Sequence, residues 1–122
     1  MKKLILLLIG TLFISCSYEG TTEYSIESEK VFLLICENTT ESELYSIAKE
    51  FKEKRNITVD FSKSEFRRNG TIKNLNLSVD CNDGFKGTIK NYGKTFNLNK
   101  SGFWRDYKEN SAEPFRIGNI EK

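Results

Sequence analysis

Between Thr40 and Arg55 the chain carries a pattern that a one-sided helix satisfies and little else does. Thr40 with Glu43 three residues on is a capping box, in which hydroxyl and carboxylate each take an unpaired backbone N–H at a helix start. Leu44, Ile47, Ala48 and Phe51 follow at i, i+3, i+4 and i+7, one apolar stripe. Lys49, Lys52, Lys54 and Arg55 gather in the C-terminal half, where the helix dipole favours cations. A helix from about 41 to 55 with a single apolar stripe must lay that stripe on another element. On both sides of it the hydropathy changes to strand periods.

Before the helix, Val31-Phe32-Leu33-Leu34-Ile35-Cys36 is a continuous apolar run of strand length, the mark of a buried strand. After it, Ile57-Thr58-Val59-Asp60-Phe61 alternates strictly, with room to continue to Phe66. Arg67-Arg68-Asn69-Gly70 carries an Asn-Gly hairpin signal. Across Thr71–Cys81, residues Leu75, Leu77, Val79 and Cys81 share one face and Asn74, Asn76, Ser78 and Asp80 the other. Asn82-Asp83-Gly84 turns the chain into Phe85–Tyr92, and Thr95–Leu98 alternates once more. From Gly102 to Ile120 the aromatic residues Phe103, Trp104, Tyr107 and Phe115 have no clean period. The predicted fold is α+β, in β-α-β-β-β order, with the helix packed on a mainly antiparallel sheet of about four to five strands.

The first sixteen residues set a different constraint. Lys2 and Lys3, the apolar run Leu4–Ile9 and a small-residue break make a secretory signal, too short to span a bilayer, which takes about 20 residues. Phe13-Ile14-Ser15-Cys16 resembles a bacterial lipobox, with Phe13 where leucine is usual. The resemblance implies cleavage before Cys16 and lipidation (diacylation, palmitate) of that cysteine, which anchors the chain in a bacterial cell envelope, the outer membrane before the inner. Two or more acyl chains hold a protein stably where one holds marginally. Residues 1–15 are then a signal peptide, 16–30 a polar, lipidated tether with a short strand around Tyr24-Ser25-Ile26, and 31–122 one small domain. Glutamates at 19, 23, 27 and 29 in the tether resemble surface-export signals of bacterial lipoproteins.

Removing the leader changes the charge argument. The formal +2 comes from Lys2 and Lys3, and the remaining 107 residues carry 17 Lys and Arg against 17 Asp and Glu. A balanced chain gives no electrostatic reason to bind nucleic acid. Histidine is absent from the whole sequence, which removes the commonest general base and metal ligand. No CxxC, GxGxxG, phosphate loop or GxSxG is present, so no cofactor, metal or catalytic residue is assigned.

The stretch from Ile35 to Phe85 resembles a module of bacterial envelope proteins, among them the extracellular ends of beta-lactam-sensor-type membrane metallopeptidases. The resemblance rests on Thr39–Leu44, Ile57–Ser62, Arg67–Gly70, Thr71–Leu75 and Asn82–Gly84. It covers about half the mature chain, mostly in fold-forming residues. The paired-histidine helix of the metallopeptidase is absent, so the resemblance implies an envelope module without that activity.

Four groups of side chains invite chemistry. Cys36 and Cys81 would lie in an oxidising compartment, which invites a disulfide. Antiparallel neighbours would place them at opposite ends, and an intervening strand would separate them by about 10 Å at the usual strand spacing, beyond disulfide reach. Asp80, Asn82, Asp83 and Gly84 faintly suggest a calcium loop, but the ligand spacing suits a turn better. Asp60, Glu65 and Asp80 are the carboxylates a hydrolase would need. Trp104, Arg105 and Tyr107, with Lys108, interleave aromatic and basic groups as a partner-binding surface would, while Phe103 and Tyr107 at i, i+4 equally suit core packing. The functional expectation is a lipid-anchored, non-catalytic binding module for a protein or peptide. The alternative is an immunity- or inhibitor-type lipoprotein that neutralises an envelope-delivered toxin or hydrolase.

Overall fold

The computed structural model of the chain describes residues 22–90 and 100–120; the lipobox and the strand expected at Thr95–Leu98 lie outside them. The α+β class is as the periodicities require, one helix on antiparallel sheets. Among the described residues the strands are β1 (Glu23–Ile26), β2 (Lys30–Ile35), β3 (Thr58–Asp60), β4 (Glu65–Phe66), β5 (Ile72–Asn74), β6 (Asn76–Asp80), β7 (Lys86–Lys90), β8 (Ser101–Asp106) and β9 (Phe115–Asn119), with the helix α1 at Glu41–Arg55. They form a four-stranded sheet in the order β1-β2-β8-β9, a three-stranded sheet β3-β6-β7 and the small hairpin β4-β5.

The capping box forms as the spacing predicts. Glu43 N–H donates to Thr40 Oγ1 at 3.2 Å, and Thr40 N–H donates to the Glu43 carboxylate at 3.0 Å. Asn56 closes the helix in the left-handed region at φ 56°, donating its N–H to Lys52 O at 3.1 Å. Leu44, Ile47 and Phe51 are buried. Phe51 meets Phe103 of β8 at 5.3 Å and Tyr24 of β1 at 6.3 Å between ring centroids. Fully buried aliphatic and aromatic side chains of this kind contribute roughly 1.5–3 kcal/mol each.

Seven strands and the helix ring one core. β7 lies against β9 where the two larger sheets meet, and α1 fills the opening between β3 and β1. Val31, Leu33 and Ile35 line the core from β2, Leu77 and Val79 from β6, Ile89 from β7 and Phe103 from β8. Two close approaches hold the wall together. A Cβ on Gly102 of β8 would run into the Leu33 carbonyl of β2, and one on Gly87 of β7 would come within 2.6 Å of Ile117 Cγ2 on β9.

Two segments differ from the expected strands. The alternation from Ile57 to Phe66 is interrupted after Asp60, whose carboxylate accepts the Ser62 N–H at 2.9 Å and bends the chain into a turn. Opposite that turn the strand expected at 71–81 divides at Leu75. Ser64 Oγ donates to Asn76 O and accepts Asn76 N–H at 2.7 Å, satisfying backbone groups that the broken ladder leaves. The burial alternation survives, with Leu75, Leu77, Val79 and Cys81 all buried. The irregular segment after Gly102 supplies β8 and β9, and β8 pairs with β2 at the centre of the largest sheet. Part of the segment read as tether is β1, hydrogen-bonded to β2.

Candidate functional site

Trp104, Arg105 and Tyr107 are close in sequence; the structure brings Arg105 and Tyr107 together and turns Trp104 away from them. Strand alternation turns Phe103 and Arg105 inward and Trp104 outward. Arg105 reaches the β6–β7 turn, where its Nη2 and Nε lie 2.9 and 3.0 Å from Asp83 Oδ2. Its guanidinium lies 4.5 Å from the ring centroids of both Phe85 and Tyr107, and Nη1 donates to the Asp106 and Pro114 carbonyls. Arg55, at the end of α1, stacks on Tyr107 at 4.1 Å. The Arg105 side chain is 11 % exposed, so this cation is a joint between sheet, turn and helix. The same contact uses the Asp83 carboxylate that a calcium loop would need. Of the pair at i, i+4, Phe103 closes the core and Tyr107 packs at its margin.

Trp104 faces away from α1. Its Nε1–H donates to Glu113 O at 3.1 Å, which pins the indole to the β8–β9 connection. Lys30 Nζ and Arg116 Cζ lie over the ring at 4.6 and 5.7 Å. Phe32 is its cross-strand partner on β2 and Arg116 its partner on β9. Two shallow hollows meet at Trp104 and Ile120. One, of about 240 Å³, is lined by Ser25, Lys30 and Phe32; the other, of about 410 Å³, by Lys100, Arg116 and Asn119.

The outer face of the three-stranded sheet is polar. Asp60, Ser78 and Thr88 line a hollow of about 420 Å³ with Lys63, Asn76 and Lys90, and Asp80 lies beside it. Ser62, by its N–H first and its hydroxyl second, holds the Asp60 carboxyl below its usual pKa. Asp80 accepts the Asn82 N–H at 2.8 Å, and Glu65 accepts from Asn74 across the small hairpin. The three carboxylates considered for hydrolysis therefore each serve a local backbone or side-chain bond.

A further concavity had no signal in the sequence. Between α1 and β3 runs a groove of about 760 Å³, lined by Tyr45, Ala48, Lys49 and Lys52 on the helix and by Val59 and Phe61 on the strand side. β3 has β6 as its single neighbour among the described strands, so it is an edge. Tyr45 is 73 % exposed and meets Phe61 edge-on at 6.5 Å; Phe61 meets Phe66 at 6.1 Å. Tyr45, Ala48, Lys49 and Lys52 share the helix face beside the core stripe, which a pattern search reads as a solvated flank.

No family model, curated protein or solved structure matches this chain. The chemistry is therefore argued from the side chains themselves.

Two further carboxylates follow the same trend as Asp60. The Lys108 N–H and the Ser111 hydroxyl hold Asp106 below the usual carboxylate range, and the Tyr24 hydroxyl followed by Lys54 does so for Glu50. Cys36 and Cys81 are both free and buried. Burial pushes the Cys81 thiol up to about 12, with Asp83 adding to the effect. Thr39, fully buried, accepts the Cys36 N–H at 3.0 Å and bonds the Thr22 hydroxyl at 2.6 Å. Among the described residues no group of His, Cys, Asp and Glu is placed to hold a metal ion, and no helix is long and apolar enough to cross a membrane.

Proposed function

We propose that this chain is a lipid-anchored, non-catalytic binding module of the bacterial envelope, tethered by Cys16, that engages a protein partner through the outward face of its four-stranded sheet. The observation that carries the reading is Trp104. It is a large aromatic side chain outside the core, fixed by a hydrogen bond to Glu113 O and bordered by Lys30 and Arg116. Trp and Arg dominate the energetics of protein interfaces, and a pre-fixed ring loses little freedom on binding. Arg105 and Tyr107 support the surface from behind.

The test has two arms. Palmitate labelling of cells should mark the wild-type chain, and Cys16→Ala should release it from membranes. Affinity capture from detergent-solubilised membranes should then retain a partner that Trp104→Ala loses, with the melting temperature of the variant within a few degrees of wild type. A Cys16→Ala protein that stays equally membrane-bound overturns the anchor. Partner capture unaffected by Trp104→Ala overturns the surface. A captured toxin or hydrolase would turn the reading toward the immunity class.

A further inference from the structure

We infer that the β4–β5 hairpin rests its cationic side on the anionic lipid headgroups of the membrane that holds the chain. The inference rests on the lipid anchor proposed at Cys16 and adds a second contact, which sets how the domain stands on the bilayer. Thr22 follows Cys16 by six steps, within about 20 Å at full extension. Its hydroxyl bonds Thr39 at 2.6 Å and reaches Glu43 at 3.4 Å, so the tether enters the domain at the start of α1. The hairpin occupies that same end. Thr40 bridges Thr71, and the Glu41 N–H donates to Gly70 O at 2.9 Å. The Arg67-Arg68-Asn69-Gly70 turn therefore lies beside the point of attachment.

Charge decides which side of that end meets the bilayer. The mature chain is neutral as a whole, yet Lys63, Arg67, Arg68 and Lys73 are all exposed on the hairpin and its approach, and Lys90 joins them at the end of β7. Strand pairing brings Lys90 there: it lies opposite Asn76, whose backbone Ser64 holds, and Lys63 and Lys90 line one hollow. The carboxylates among these five cations are Glu65, which accepts from Asn74, and Asp60, which accepts the Ser62 N–H. Glu37, Glu41 and Glu43 lie on the helix side of the same end, so the positive surface is the hairpin side alone. Arg67 Nη1 donates to Ile72 O, which stiffens the turn that carries Arg68. Anionic leaflets attract clustered Lys and Arg within about 10 Å in roughly 0.1 M salt, and so short a leash brings the hairpin into that range. With the hairpin side down, the Trp104 face, across the core from the three-stranded sheet, stays open to a partner.

The test uses the lipidated chain purified from membranes and placed in nanodiscs, with amide signals read by NMR in the presence of a nitroxide-headgroup lipid. In discs containing about a quarter phosphatidylglycerol, the Arg68 and Asn69 amides should broaden roughly threefold or more beyond those of Glu37 and Asn38, which share the anchored end. In phosphatidylcholine alone, or in about 1 M salt where the screening length is about 3 Å, that difference should vanish. Arg68→Glu with Lys73→Glu, both at exposed positions, should remove it as well, whereas Arg68→Lys with Lys73→Arg should keep it. Trp104→Ala should leave it unchanged. Equal broadening at the two sites in anionic discs, a difference that survives salt, or one that survives the charge reversal overturns the hairpin contact while the anchor stands. A chain that leaves discs of both compositions on gel filtration overturns the anchor and this contact together.

Discussion

The three-stranded and four-stranded sheets are assembled in opposite ways. β3, β6 and β7, with the small β4–β5 hairpin between them, come from one continuous stretch, 58–90. Their reversals are encoded where they occur. Asn69 Oδ1 accepts the Thr71 N–H while Gly70 takes φ 95°, and Asn82 and Gly84 take φ 58° and 104°. The four-stranded sheet instead joins residues 23–35 to residues 101–119 across most of the domain. No turn can specify that pairing. It depends on contacts that exist only after assembly: the approach of Gly102 to Leu33 and the Arg105–Asp83 joint that ties this sheet to a turn of the other. Loop-closure entropy grows slowly with separation, so a distant pairing is affordable if a few such contacts are good.

The sharpest way to break this comparison is Gly102→Ala. Its methyl group meets backbone of the neighbouring central strand, which cannot rotate away, so a loss of about 3 kcal/mol or more is expected in urea denaturation. Ala at Gly84, where open space surrounds the added Cβ, should cost much less, from its positive φ alone. Equal losses would mean that β8 can shift on β2 and that the long-range sheet is as forgiving as the local one.

Arg105→Ala comes next. It leaves Asp83 without its cation and removes the guanidinium that lies against both Phe85 and Tyr107, at an expected cost of about 2 kcal/mol. In a double-mutant cycle with Asp83→Ala the two losses should be clearly non-additive. Additive losses would show that the joint between the two sheets lies elsewhere. The smallest effect belongs to the local half. Thr40→Ala removes one arm of the capping box and should cost about 1 kcal/mol. It should leave the pairing of β2 with β8 intact, as read from amide-exchange protection of Leu33 and Phe103. Loss of protection there would tie the helix start to the distant sheet, against the division drawn above.

The same division explains what could be read in advance. The helix, β2, β3, the two Asn-Gly-type turns and the buried face from Leu75 to Cys81 were legible because each depends on a local period or a backbone preference. β8 was not, although it is central. Its inward positions hold Phe103 and then Arg105, and its outward position holds Trp104, so the usual apolar–polar alternation is inverted by an inward cation and an outward, half-buried indole. β4 and β5 were blurred for another reason: the Asp60–Ser62 turn and the Ser64 hydroxyl reroute backbone bonds that alternation assigns to longer strands. Of the site residues, Trp104 could be picked out by composition, but its separation from Arg105 and Tyr107 follows from strand alternation that no period announced. The groove was invisible because an edge is a property of the finished sheet, and the lysines beside it look like ordinary helix surface.

Thr22, the first described residue, is already docked: its hydroxyl bonds Thr39 and reaches Glu43 at the start of α1. Only residues 17–21 separate it from Cys16. Fully drawn out, the six steps from Cys16 to Thr22 span about 20 Å, from a reach of at most ~3.6 Å per residue. With an acylated Cys16 the domain is thus on a short leash whose fixed end is the helix N-terminus. It could roll and tilt against the bilayer but not search far from it, so a partner would have to come to the membrane to be met.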